Sequence, residues 1–198
     1  MKYADASLTN YISDLSAKKS APGGGSAAAL AGAIGAALNG MVINFTIDKI
    51  KDRSLSGEFV AVKALQSDIL KDLSGLIDKD CAVFNGLMAK LSRGKDAQPE
   101  YRKAAMTPIN ICEGTLASAK ITFFLAVNGN KYLITDVSSA AHILEGAFSA
   151  AVENVLVNLR YITDRKYVLR MNKRLSSMKA AMKRIIPQIM EEVLKRQA

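Results

Sequence analysis

Apolar residues recur at three- and four-residue intervals along almost the whole chain, while alternation at period two is weak. The pattern predicts an all-α protein with one domain over residues 1–198. It is a bundle of about six long helices, some kinked, around a buried Ala/Gly-rich central helix. The first helix is expected from Asp5 to Ala17 and a loop from Ser20 to Gly25, where Pro22 precedes three glycines. A second helix runs from Ser26, a plausible N-cap, to about Asp48. The third extends from about Gly57 to Leu91, and Arg93 to Pro99 reads as a polar linker. The fourth covers Pro99 to about Val127, with a kink or break at Pro108. Asn128-Gly129-Asn130 reads as a turn, and the fifth helix begins near Thr135 or Asp136 and reaches Ile162. The last spans roughly Lys166 to Lys195 and is bent or divided at Pro187.

The second helix contains 22 residues, Ser26 to Ile47, without a charge, which is long enough to cross a bilayer. Seven of them are alanine and three glycine, with Asn39 and Asn44 among them, so the transfer free energy is small. A buried central helix is the preferred reading, and no membrane partner is expected. The last helix carries one apolar face through Val168, Met171, Leu175, Met178, Met182, Ile185, Ile189 and Val193, for packing on the bundle or on a second subunit.

Charge is uneven. The net charge is +9, and residues 160–198 hold eleven Lys/Arg against three Asp/Glu. Such a segment is either a solvated face or a patch for an anionic partner. Only Tyr161 and Tyr167 accompany it, so no base-stacking platform and no nucleic-acid partner are expected. Cys81 and Cys112 sit in apolar helical stretches and form no CxxC or Cys/His cluster. Two reduced core thiols suit a cytoplasmic location, no metal site is expected, and Met1 to Asp5 shows no apolar signal segment.

Asp80 is the local anomaly. It interrupts the stripe Val62, Leu65, Ile69, Leu73, Leu76, Val83, Leu87, Leu91, whereas Asp78 lies about 200° around the helix from Leu76. A carboxylate on a buried face is either a satisfied structural group or one whose pKa burial has raised into the range useful for acid–base work. Thr135 and Asp136 at a helix start are explained by capping alone. His142, the sole histidine, lies among alanines and reads as structural. Pro22 to Ser26 opens a helix with glycines, either as a simple cap or as a place where an anionic ligand meets backbone N–H groups.

These blocks carry a resemblance. Pro22-Gly23-Gly24-Gly25-Ser26-Ala27-Ala28-Ala29, followed by Gly35-Ala36-Ala37-Leu38 and Met41-Val42, resembles the signature of the cyclodeaminase domain of the formiminotransferase-cyclodeaminase family, which includes stand-alone methenyltetrahydrofolate cyclohydrolases. Asp78-Lys79-Asp80-Cys81-Ala82-Val83-Phe84 is similar to its D-x-D-x-x-x-F segment. Gly129-Asn130 with Thr135-Asp136 and Ala140-Ala141 is similar to its GN…SD…AA block, with Thr135 in place of the usual serine. Asn154 to Leu159 is similar to its NVxxNL segment. The resemblance implies a helical homodimer that acts on a one-carbon-substituted tetrahydrofolate and holds no permanent cofactor. The reaction is cyclisation of 5-formiminotetrahydrofolate with loss of ammonia, hydrolysis of 5,10-methenyltetrahydrofolate, or both. It also implies Asp80 and Asp136 as catalytic candidates, with Gly23, Gly24, Gly25, Ser26, Asp78, Asn130, Thr135 and Asn158 in substrate binding.

Overall fold

The computed structural model describes residues 2–197 and contains no strand among them. After a 3-10 turn at Tyr3–Asp5, the helices are α1 (Leu8–Ser16), α2 (Gly24–Ile47), α3 (Arg53–Leu91), α4 (Gln98–Asn128), α5 (Ile134–Leu159) and α6 (Arg165–Gln197). A second 3-10 turn, Lys131–Leu133, leads into α5. The six helices match the expected number, and their ends are decided by caps. Ser7 accepts the N–H of Asn10, so α1 starts at Leu8 rather than Asp5. Asp52 accepts the N–H of Leu55 at 2.7 Å, which starts α3 four residues before Gly57. The N-cap of α2 is Gly23, not Ser26; Ser26 is the third residue of the helix and fully buried.

The central position of α2 is confirmed by its contacts with α3, α4 and α5. Two segments, Gly24–Ile47 and Lys131–Leu159, are long and apolar enough to cross a membrane; 56% and 44% of their apolar windows are buried against the bundle. Small residues bring the helices close. A methyl group on Gly32 would stand 2.8 Å from Thr115 Cγ2, and one on Gly35 2.8 Å from Leu144 Cγ. The buried polar groups of this layer satisfy one another. Asn39 Nδ2 donates to Ser118 O (3.1 Å), Ser118 Oγ (3.0 Å) and Thr122 Oγ1 (2.9 Å). Gln66 Nε2 donates to Ala36 O at 2.9 Å. These bonds tie α2, α3 and α4 in one register at about 1 kcal/mol each.

Pro108 lies inside α4 without breaking it. Proline has no N–H for the carbonyl of residue 104, four positions back. Asn158 Nδ2 of α5 donates to that Ala104 carbonyl at 3.1 Å and fills the gap. Pro187 likewise lies within a continuous α6, whose apolar face buries Met171, Leu175, Met178, Met182, Ile189 and Val193 as expected; Ile186 is the buried residue rather than Ile185. Part of the basic excess on α6 braces the bundle. Arg174 pairs with Glu113 of α4, and Arg196 donates to Ala126 O (2.8 Å) and Gly129 O (2.6 Å) at the α4 C-terminus.

Candidate active site

The N-terminus of α2 leaves the N–H groups of its first turn without helical partners, and its glycine cap has no side chain to accept them. The missing acceptor comes from α3. Asp80 lies over Gly25, with the backbone N–H of Ser26 beside its carboxyl. Contact is so close that a methyl group on Gly25 would stand 2.6 Å from Asp80 Cγ and 2.7 Å from Oδ2, so only glycine admits the carboxylate. Burial pushes the Asp80 carboxyl up from the usual carboxylate range, while the Ser26 N–H opposes the shift. The stripe argument that singled out Asp80 is thereby given a physical cause: the carboxylate interrupts the apolar face because a helix end is packed on it.

Around this pair the other groups are ordered. Ser26 Oγ lies 3.1 Å from Tyr11 Oη of α1 in a fully enclosed contact, and it also faces the Cys81 thiol. Burial raises both the Tyr11 hydroxyl and the Cys81 thiol, with the Asp80 charge acting in the same direction. On the opposite side, a methyl on Gly24 would stand 3.4 Å from Asn154 Nδ2 of α5. Beside Asn154 a shallow cavity of about 320 Å³ is lined by Glu153, Leu156, Val157 and Arg160. A cleft of about 830 Å³ between α3 and α4 does not include Asp80.

Of the residues picked from the sequence, Gly23, Gly24, Gly25, Ser26 and Asp80 come together at this helix end. Asp78 accepts the N–H groups of Tyr3 (2.6 Å) and Ala4 (3.1 Å) and so anchors the N-terminal turn. Asn158 Nδ2 is committed to Ala104 O and to Asn154 O (2.7 Å). Asn130, Thr135 and Asp136 lie elsewhere. Asn130 N–H donates to Thr46 Oγ1 (3.0 Å) at the far end of α2, while its side chain caps the 3-10 turn. Gly35 of α2 meets Ala140, and Asp136 is one turn beyond, about 20 Å along the helix from Gly25 at about 1.5 Å per residue. Thr135 is exposed. Sequence reasoning missed Tyr11 and Asn154. Asn154 stood in the quoted NVxxNL block, but nothing local separates it from Asn158.

A half-buried carboxyl with a raised pKa, beside free helix N–H groups and a carboxamide, can exchange a proton with a basic nitrogen and hold a polar ligand. Among the described residues no group of three or more His, Cys, Asp or Glu side chains is placed to hold a metal ion.

The fold and site thus define an all-helical protein in which a half-buried carboxyl of raised pKa is seated on a helix N-terminus. The chain belongs to the formiminotransferase-cyclodeaminase family, whose model matches residues 7–177. It is 28% identical over 171 residues to a methenyltetrahydrofolate cyclohydrolase of Methylorubrum extorquens, covering 81% of this chain and 82% of that protein. It is 29% identical over 185 residues to the formimidoyltransferase-cyclodeaminase of Rattus norvegicus, covering 88% of this chain and 34% of that longer protein. The solved formiminotetrahydrofolate cyclodeaminase of Thermotoga maritima superposes with a TM-score of 0.91 at 26% identity, covering 96% of this chain and 97% of that one.

Proposed function

We propose that the chain is an enzyme of folate one-carbon metabolism that closes or opens the one-carbon bridge of a tetrahydrofolate, with Asp80 as its acid–base group. The observation that carries the reading is the seating of Asp80 over Gly25 and Ser26, where the glycine and D-x-D segments of the family meet. Both candidate reactions pass through a tetrahedral carbon and move a proton at nitrogen, which a carboxyl of raised pKa performs. In the cyclising direction, the 10-nitrogen of 5-formiminotetrahydrofolate attacks the formimino carbon and ammonia leaves. In the hydrolytic direction, water adds to 5,10-methenyltetrahydrofolate and the ring opens to 10-formyltetrahydrofolate. Relatives of both names support the substrate class equally. Gly24 and Gly25 let the ligand reach the helix N–H groups, and Asn154 flanks it.

The active species is proposed to be a homodimer. The uncharged α2 leaves an open apolar strip with Ile34 46% and Phe45 58% exposed, self-complementary material for an isologous contact. Asp136 retains a catalytic role only where a second copy brings it to Asp80, and Thr135 and Asn130 travel with it. Light scattering of the protein and of Ile34→Glu tests the dimer: a mass of one chain for the parent protein refutes it. The buried free thiols of Cys81 and Cys112 support a cytoplasmic location.

The activity test mixes the protein with each substrate and follows the absorbance band of 5,10-methenyltetrahydrofolate. Loss of the band establishes the hydrolytic reaction, and its appearance from 5-formiminotetrahydrofolate establishes the cyclising one. No change in either mixture refutes the catalytic reading.

A further inference from the structure

We propose that Tyr11 is a positioning residue for Asp80: its hydroxyl holds the Ser26 side chain away from the carboxylate, leaving the Ser26 backbone N–H as the donor that Asp80 receives. The inference deepens the proposed acid–base role and rests on that reading. Its basis is one residue with two donors at one place. Ser26 sets its N–H beside Asp80 and shares a hydroxyl–hydroxyl hydrogen bond with Tyr11, with the serine taken as donor; both side chains are enclosed, Ser26 at 0% and Tyr11 at 3% exposure. A buried hydroxyl takes a partner wherever it finds one. With the Tyr11 oxygen present the serine is engaged 3.1 Å away from it. Without that oxygen, the Cys81 sulfur is a weak acceptor and the carboxylate seated at Gly25 a strong one.

The ring itself is held by devices separate from Asp80. Tyr3 packs edge-on to Tyr11, with centroids 5.4 Å apart and planes at 88°. Tyr3 Oη donates to Asp14 at 2.8 Å, and Asp78 grips the Tyr3 and Ala4 N–H groups. The D-x-D segment therefore divides its labour, with Asp80 at the helix end and Asp78 fixing the turn that buttresses Tyr11. The titratable groups around Asp80 are Tyr11 from α1 and Cys81 and Asp78 from its own helix. The first turn of α2 brings none, and α5 presents the uncharged Asn154 at Gly24.

The test is a carbon-detected NMR titration of the Asp80 carboxyl, which needs no turnover. Tyr11→Phe keeps the ring and is expected to lower the Asp80 midpoint by about half a pH unit or more, because a released O–H stabilises the charged form. Ser26→Ala is expected to leave the midpoint within about 0.2 unit of the parent, and Tyr11→Phe in the Ser26→Ala background is expected to shift nothing further. The proposal is overturned by an unchanged midpoint in Tyr11→Phe. It is equally overturned by an equal shift with and without Ser26 Oγ, or by a raised midpoint in Ser26→Ala alone, which would mean that the serine already donates to Asp80. A parent protein inactive on both folates, with these midpoints as expected, refutes the proposed function and leaves the positioning role standing.

Discussion

The middle and the N-terminal end of α2 make different use of polar groups. At Asn39 the carboxamide, with Ser118 and Thr122 of α4, forms a closed set of neutral hydrogen bonds. At Gly25 the polar group is a half-buried carboxyl beside the Ser26 N–H, and Asn154, which touches Gly24, borders a shallow cavity on its other flank. The first arrangement leaves nothing to exchange with a ligand and serves register. The second leaves a titratable group partly desolvated and under-provided with donors, which is the condition for chemistry. The same helix therefore meets α4 in a closed structural set and α3 in a titratable one, separated by about four turns.

The sharpest break of this contrast is Asp80→Asn. Turnover is expected to fall by about 10²–10⁴-fold, while the fold persists; unchanged turnover would remove Asp80 from the mechanism. Gly25→Ala follows, because its methyl group displaces the carboxylate from the helix end. A loss of activity on the order of 10²-fold is expected with unchanged helical circular dichroism, and an active variant would show that the seat is dispensable.

Asn39→Ala should do the reverse. It strands the Ser118 and Thr122 partners, so urea unfolding is expected to show a loss of about 2–3 kcal/mol with turnover per folded molecule intact. The two asparagines of α5 sharpen the comparison further. Asn158→Ala leaves Ala104 O without its donor and is expected to cost about 1–2 kcal/mol of stability. Asn154→Ala is expected to weaken substrate binding by about tenfold, read as KM. An exchange of these two effects would reverse their assignment.

The smallest effect is in the pH dependence of stability. The folded-state pKa of Asp80 is raised, so the folded protein binds more protons than the unfolded chain as pH passes from the unfolded value to the folded one. Asp80 therefore lowers stability as pH rises through that window, and the deficit is complete above the folded pKa. Asp80→Asn is expected to melt above the parent at pH 7, with the gap closing toward pH 3; a gap that widens in acid would show that the shift has the opposite sign.

Much of this was legible in the chain. The helices, the uncharged α2 and the anomalous Asp80 follow from apolar periodicity, which is a local property. The thiols, the glycine run and the family blocks were visible for the same reason. Less legible were the ends. Gly23 displaced Ser26 as the α2 cap because the acceptor arrived from another helix, not from the sequence nearby. Pro108 was expected to kink or break α4, and the helix instead runs through it. That outcome depended on a donor 50 positions away at Asn158, which no window around the proline contains.

By itself the sequence determined the class of fold, the buried character of α2, and the candidates among which the site would be found. Only the tertiary structure decided which of those candidates meet. It placed Asp80 on Gly25, gave Asp78 to the N-terminal turn and Asn158 to the α4 carbonyl, drew Tyr11 and Asn154 to the helix end, and left Asp136 about 20 Å away. Helix formation is written in neighbours three and four positions apart. A catalytic contact depends on how far one helix slides and turns against another, and that is settled by the packing of the whole core.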